Sequence, residues 1–530
     1  MFACAIVIGA AAHSSYTRAS DASAGSVLPT PFSIAFVPLD DRPVTYQLPV
    51  ALGTIAGQRV VTPPRALLGN YLQPGDGDAI LAWLNSPETD GANALVASLD
   101  MIAYGGLVAA RVPDVSSGDA YARLRTLAAA RSRRSLGFAG AFGTIMRLAP
   151  TGVPQVGAAR AYYATGDTVD DLQAYANLPD PPVTQADRDK AERLRQRIGR
   201  PVLARYLAAR ARDRRVDEWA LQLAAEGGFD RIVLGQDDAG PTGLHLRDVA
   251  ALRRVAHDFA LGDRASIEPG ADELGMVLLA QAFARNVRWR PTVRVVYSRP
   301  DGGSVSDRLE FEPVDATIER LIAACGAARV ATGGDIALFV RVSDTSDADE
   351  RTFEDAIAEA APHGGATVAD LTFLDGDPGP AQRALTDALV ARELAGRLDG
   401  FASWNTDANT VGTALAVAIA AGAGRRAGRL DERALAQFML NRYIDDYAFH
   451  QFVRPQLNRS LRAEGIDTSL LLPAVARQAS SANRAALWPH ALELMAKIYP
   501  QYRDGGLTIT LPWDRTFETQ IDVRLKPVAP

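Results

Sequence analysis

Short apolar runs that end in polar or glycine-rich turns alternate with long Ala/Leu/Arg stretches along most of the chain. That alternation constrains the fold more than any other feature, because a strand followed by a covering helix is the unit of parallel α/β architecture. Strands are expected at 33–39, 59–62, 94–99, 137–142, 231–235, 292–297, 336–342, 367–371 and 400–403. Helices are expected at 119–133, 185–211, 216–225, 244–261, 273–286, 315–325, 351–361, 380–394 and 410–421. The expected class is α/β, either a TIM-barrel-like sheet or a doubly wound parallel sheet, with further α/β units and a helical C-terminal region. More than eight strands are counted, so a single closed barrel cannot hold all of them.

The 530 residues exceed what one ordinary core organises. Breaks in pattern near 287–300 and 424–430 suggest an N-terminal catalytic α/β region at 31–290 and a second α/β region at 291–425 that contributes to the cleft. A helical region with a terminal β tail follows at 426–530. Residues 1–27 read as a signal peptide or a disordered leader: a short apolar, small-residue run precedes a polar small-residue stretch, and it is far shorter than the roughly 20 apolar residues of a spanning helix. The expected location is therefore secreted or periplasmic, with no integral membrane segment; the Ala-rich run 411–423 reads as a buried helix.

Charge and cysteine content exclude several classes. The formal net charge is -6, and no basic face suited to a phosphate backbone is evident, so nucleic acid is not an expected partner. Two cysteines, Cys4 and Cys325, cannot build a zinc site. Six histidines are scattered without ligand spacing, and there is no P-loop, no GxGxxG between strand and helix, no HExxH and no GxSxG elbow. No cofactor and no metal site is expected; the expected partner is a small molecule or a glycan.

Five polar turns carry the chemistry. The first contains Asp40, Asp41 and Arg42, two acids and a cation at the end of the first strand, suited either to binding substrate hydroxyls or to bracing the turn. In the second, Asp100 ends a buried strand and precedes Tyr104 and the glycines Gly105 and Gly106; the same Asp would equally cap the following helix. The third holds Gln236, Asp237 and Asp238, and paired acids at a strand end suit general acid–base work when their environments drive their pKa values apart. In the fourth, Asp272 reads as a helix cap and Glu268 as the better site candidate. The fifth offers Trp404 as an apolar plate for a ring, with Asn405 and Asn409 as paired donors and acceptors. Asp237 and Asp238 are the expected catalytic pair, with Asp238 the proton donor and Asp237 the orienter. Asp40, Asp41, Arg42, Asp100, Tyr104, Gln236, Glu268, Trp404, Asn405 and Asn409 are expected to bind substrate.

The stretches VPLDDRPV, ASLDMIAYGGLVAAR, GQDDAGPTG, PGADELG, WNTDANTVGTALA and PWDRTFE together resemble one bacterial family, the domain of unknown function 4127 (DUF4127), over about 33–525. The resemblance carries no catalytic mechanism with it. The layout of an Asp pair at one strand end and an Asn-bearing motif on a later strand is similar to retaining hexosaminidases of the O-GlcNAcase-like kind, an analogy of layout alone. The expectation is an extracytoplasmic glycoside hydrolase, with an N-acetylhexosamine-containing glycan as one substrate class. Two rivals stand beside it: a non-glycosidic hydrolase or lyase of envelope material using a divalent cation held by Asp40, Asp100 and Asp237, and a non-catalytic periplasmic sugar-binding protein.

Overall fold

Unbroken runs of Val, Ile, Leu, Phe and Ala can bury both faces of a strand, which a parallel sheet requires when helices cover it on both sides. A computed structural model describes residues 32–153, 163–164, 167–372 and 380–528; the expected leader at 1–27 lies outside the described residues. The first sheet contains β1 (Ser33–Val37), β2 (Arg59–Val61), β3 (Ala94–Ser98) and β4 (Phe138–Ile145). After a short parallel pair, β5 (Gly152–Val153) and β6 (Tyr163–Ala164), it is completed by β7 (Arg231–Gln236) and β8 (Ala265–Pro269). Its order is β2-β1-β3-β4-β7-β8, all parallel, with Ile34 opposite Ala94 and Leu234 opposite Ile267.

The second sheet contains β9 (Thr292–Tyr297), β10 (Ala328–Arg329), β11 (Ile336–Arg341), β12 (Ala366–Asp370) and β13 (Gly400–Ala402), in the order β10-β9-β11-β12-β13, again all parallel. In each sheet the second strand is laid outside the first, and the chain then returns past the first and advances the other way. That reversal leaves two edges, so the sheets are open and doubly wound. The barrel alternative does not form: β2 and β8 each pair with one neighbour among the described residues.

Two buried helices join the sheets. Leu274–Asn286 packs on β3 and β4 with one side and on the helix Asp407–Arg426 with the other, and the latter packs on β11, β12 and β13. Both are apolar almost all round, as helices enclosed on every side must be. Gly275 lets the first helix lie close on the first sheet, and Gly412 lets the two helices approach each other. A Cβ at Gly275 would stand 2.9 Å from the Phe36 ring, and one at Gly412 would stand 2.4 Å from Glu273 Cγ.

Differences from the sequence reading have local causes. The stretch read as one helix at 185–211 is two, Gln185–Ile198 and Arg200–Ala225, because Gly199 adopts φ 81° and Pro201 follows it. The strand β8 was read only as a strand-to-helix turn, since Ser266 and Glu268 interrupt its apolar character. After the second sheet the chain is helical, through Glu432–Arg442, a π-helical segment Tyr443–Val453, Arg454–Ala463 and Pro473–Ile498. It ends in small antiparallel pairs, β14 (Tyr502–Asp504) with β17 (Leu525–Pro527) and β15 (Thr508–Thr510) with β16 (Gln520–Asp522). Among the described residues no helix is long and apolar enough to cross a membrane.

The joint between the sheets yields a stability test. Phe283, fully buried in the helix Leu274–Asn286, belongs to a core that cannot collapse around a void on both sides. Phe283→Ala is expected to lower the unfolding free energy by about 3–5 kcal/mol, read from the urea denaturation curve.

Candidate functional site

Parallel strands place all their carboxyl ends on one edge, and an open α/β sheet binds its ligands there. That edge opens into a cleft of about 560 Å³. Arg42 enters it after β1, Arg111 from the segment following β3, Arg147 after β4, Asp237 and Asp238 after β7, and Asp272 after β8. The second sheet contributes Asn405 from the turn after β13. The C-terminal region closes the cleft with the helix Arg454–Ala463 and with Trp513, Arg515 and Thr516.

The first turn is built around Arg42. Its guanidinium donates to Asp40 through Nε and Nη2, and to Asp272 through Nη1 at 2.9 Å and Nη2 at 2.6 Å. Thr45 Oγ1 also donates to Asp40, at 2.6 Å. Burial alone would raise the Asp40 carboxyl, but the charge and hydrogen bonds of Arg42 outweigh it and hold Asp40 below the usual carboxylate range. Burial raises Asp272, opposed by the same arginine. The guanidinium also lies over the Trp513 ring, 5.2 Å from its centroid. Trp513 Nε1 donates to Asp41 at 2.7 Å and its ring stacks on Tyr71 at 4.9 Å; Arg515 sits over both rings, 4.6 and 4.7 Å from their centroids. The result is an aromatic plate backed by guanidinium groups at the wall of the cleft.

Asp237 and Asp238 follow each other in the chain but occupy different surroundings. Asp237 is buried and forms an ion pair with Arg111 at 2.6 Å, while Arg111 also donates to Thr151. Asp238 adopts φ 24°, which turns it out of the strand's regular alternation. It is half-buried, and its ion pair with Arg147 is long at 3.4 Å. Burial and the neighbouring Asp237 charge push Asp238 up to about 6.

Residues 34–522 match the family described as "Protein of unknown function (DUF4127)". The chain belongs to this family. The matched span contains every residue named above as lining the cleft. No curated protein and no solved structure matches the chain.

Of the residues singled out in the sequence, Arg42, Asp237, Asp238 and Asn405 line the cleft. Asp40 and Asp41 stand directly behind it, holding Arg42 and Trp513. Asn409 is one hydrogen bond further in: Asn405 Nδ2 donates to Asn409 Oδ1 at 2.7 Å, and Asn409 Nδ2 donates to Glu273, whose carboxyl burial pushes up to about 8. Five others lie outside the lining. Asp100 accepts from the backbone N–H and hydroxyl of Thr144, and burial pushes it up to about 7. Tyr104 packs under the Arg212 guanidinium, 3.9 Å from the ring centroid. Gln236 donates to backbone carbonyls, Trp404 donates to Thr413, and Glu268 is fully buried against Ser266.

Asp272, read as a helix cap, instead holds Arg42 across three intervening strands. His245, on the helix expected at 244–261, is fully buried against Phe311. The cation site suggested for Asp40, Asp100 and Asp237 is not assembled, since each has a separate partner. Among the described residues no three His, Cys, Asp or Glu side chains are grouped to hold a metal. Sequence reasoning missed Arg111, Arg147, Tyr71, Trp513 and Arg515; a signal was present for Arg111, which ends the ASLDMIAYGGLVAAR stretch, and for Trp513 and Arg515 in the PWDRTFE stretch.

Removing Arg42 leaves two buried carboxylates facing each other, so Arg42→Met is expected to destabilise the fold by about 3–5 kcal/mol, read from urea unfolding. Glu273 supplies a pH test. Its carboxyl is neutral in the folded protein up to about pH 8, whereas its ordinary value is 4.5. Its contribution to stability is therefore complete below about 4.5 and is lost as pH rises through about 8. The urea midpoint should fall over that window, and Glu273→Gln should flatten the fall.

Proposed function

We propose that the protein is an extracytoplasmic glycoside hydrolase that cleaves a glycan by carboxylate acid–base catalysis. The observation that carries the reading is the divergence of Asp237 and Asp238: one carboxyl is ion-paired with Arg111, the other is pushed up to about 6, and both face the same cleft. Glycosidic cleavage requires a carboxyl able to donate a proton beside a second carboxyl that orients the sugar or stabilises charge. Asp238 donates its proton to the leaving glycosidic oxygen. As the bond between the anomeric carbon and the leaving oxygen breaks, Asp237 orients the sugar and stabilises the developing positive charge; a water then bonds to the anomeric carbon and returns a proton to Asp238.

Two further features support a sugar ligand. Half-buried Tyr71, backed by the buried Trp513 on which it stacks, presents aromatic surface to a sugar ring in the cleft. Asn405, held by Asn409, presents an amide to hydroxyl or N-acetyl groups. The extracytoplasmic location rests on the leader-like residues 1–27 alone.

The test is a screen against aryl glycosides and bacterial cell-wall glycans with product analysis. On a verified substrate, Asp238→Asn is expected to lower turnover by about 10²-fold or more, while the circular-dichroism spectrum is unchanged. Because Asp238 must be protonated to act as the acid, turnover of the parent enzyme should fall as pH rises above about 6, and that limb should vanish in the variant. Near-parental turnover in both Asp237→Asn and Asp238→Asn would sink the assignment.

A further inference from the structure

The acid pair sits among cations that are not equally engaged. The arginines that enter the cleft from the sheet edge are Arg42, Arg111 and Arg147. Arg42 is held by Asp40 and Asp272, and Arg111 is held by Asp237 at 2.6 Å. Arg147 has no such short pair. Its Nη1 stands 3.4 Å from Asp238 Oδ2, beyond the roughly 2.7–2.9 Å of a charge-assisted bond. Its Nε donates to Ala149 O at 3.0 Å, and its Nη2 has no hydrogen-bond partner among the described residues. The backbone on each side of the gap is fixed. Arg210, buried and paired with Asp248, donates to the carbonyls of Met146 and Arg147, both at 2.7 Å. On the other side Gln236 Nε2 donates to Asp237 O at 2.8 Å, and the Ala239 N–H donates to Leu309 O at 3.1 Å. Only the two side chains, each 25% exposed, are left to close the distance.

We infer that Arg147 is a positioning residue of the reaction: its guanidinium aims the Asp238 carboxyl and becomes the counter-ion of the carboxylate left when the Asp238 proton departs. The inference rests on the glycosidase reading above for the proton's destination. As the proton passes to the leaving oxygen, that oxygen keeps the electron pair of its broken bond to the anomeric carbon, and Asp238 is left with a negative charge. Arg147 neither gains nor loses a proton and stays charged throughout. The new charge draws its fork inward to a short, charge-assisted contact. The water that bonds to the anomeric carbon then returns a proton to Asp238, and the contact lengthens again. The surrounding charges favour the closing. Besides Asp238, those facing Arg147 are Arg111, Asp237 and Arg515; burial, with the two arginines, weakens the guanidinium's hold on its own proton, and a second anion relieves that. Besides Arg147, those facing Asp238 are Asp237, Arg111 and Asp272; burial and the two acids raise its carboxyl, and the two arginines oppose them. Arg111 and Arg515 are already paired, with Asp237 and Glu518, which leaves Arg147 to answer the new charge.

The experiment is a carbon-13 nuclear magnetic resonance titration of the full-length protein labelled at the aspartate Cγ atoms, with the Asp238 signal identified by its loss in Asp238→Asn. Asp238 is expected to titrate at about pH 6 in the parent and about one unit higher in Arg147→Met. Arg147→Lys, which keeps the charge without the fork, should titrate between the two. Arg147→Gln, which keeps a donor for Ala149 O but carries no charge, supplies the neutral variant should the methionine one not fold. On a glycan that the parent hydrolyses, the alkaline limb of turnover should move up with the titration, and maximal turnover should fall about tenfold, the equivalent of one unit of acid strength. A residue that merely braces the fold would lower turnover and leave both the titration and the limb in place. An Asp238 titration unchanged in the neutral variant overturns the inference, and so does a limb that stays where the parent's lies. Should the titration move while the parent hydrolyses no glycan, the coupling of Arg147 to Asp238 stands and the glycosidase reading fails.

Discussion

The buried Arg42 guanidinium, clamped between Asp40 and Asp272 and lying over Trp513, is the interaction on which the site depends. It ties the end of β1 to the turn after β8 and brings the C-terminal Trp513 onto both. Such a cluster is a weak source of net stability, because removing three charges from water costs nearly what their attraction returns. Its value here is geometric. A planar fork that satisfies two carboxylates at once permits one arrangement of the two turns, and the cleft between them takes its shape from that arrangement.

The seam between the sheets shows a different physical device. Glu273, Asp407 and Glu310 are all buried there, and burial raises each of them, Glu273 and Asp407 to about 8. Neutral carboxyls in this place act as hydrogen-bonding groups. Glu273 accepts from Asn409 and from the Ala271 N–H, and Glu310 accepts from the Ala408 N–H at the start of the helix Asp407–Arg426. This polar strip lies beside two helices that are otherwise apolar. It fixes their mutual position through directional contacts, which apolar packing alone does not supply. Through Asn409 it also sets Asn405 at the cleft, linking the second sheet to the edge of the first.

Much of the fold was legible because its cause is local. Runs such as Ile34–Val37 and Ile232–Leu234 bury both faces, and the helical segments between them carry their apolar residues at the helical period. The acid pair at 237–238 was legible for the same reason, since a parallel strand ends where its ligands bind. Glu268 and Asp272 mark the limit. Both are acids of one turn, but Glu268 still belongs to β8 and its side chain follows the strand's alternation into the interior, while Asp272 lies beyond the strand and is free to turn toward Arg42.

By itself, then, the sequence determined the alternation of strands and helices, the parallel class of the sheets and the positions of the polar turns, all properties of a window of a few residues. Whether those sheets close or stay open, and which polar side chains share a cleft, was decided only in the tertiary structure. Arg42 meets Asp272 from 230 residues away, Trp513 meets Asp41 from 472 residues away, and Arg111 meets Asp237 from 126 residues away. No local pattern encodes such pairings. They arise when the two sheets, the helices between them and the C-terminal region pack together, and buried charges settle on the opposite charges the packing brings within reach.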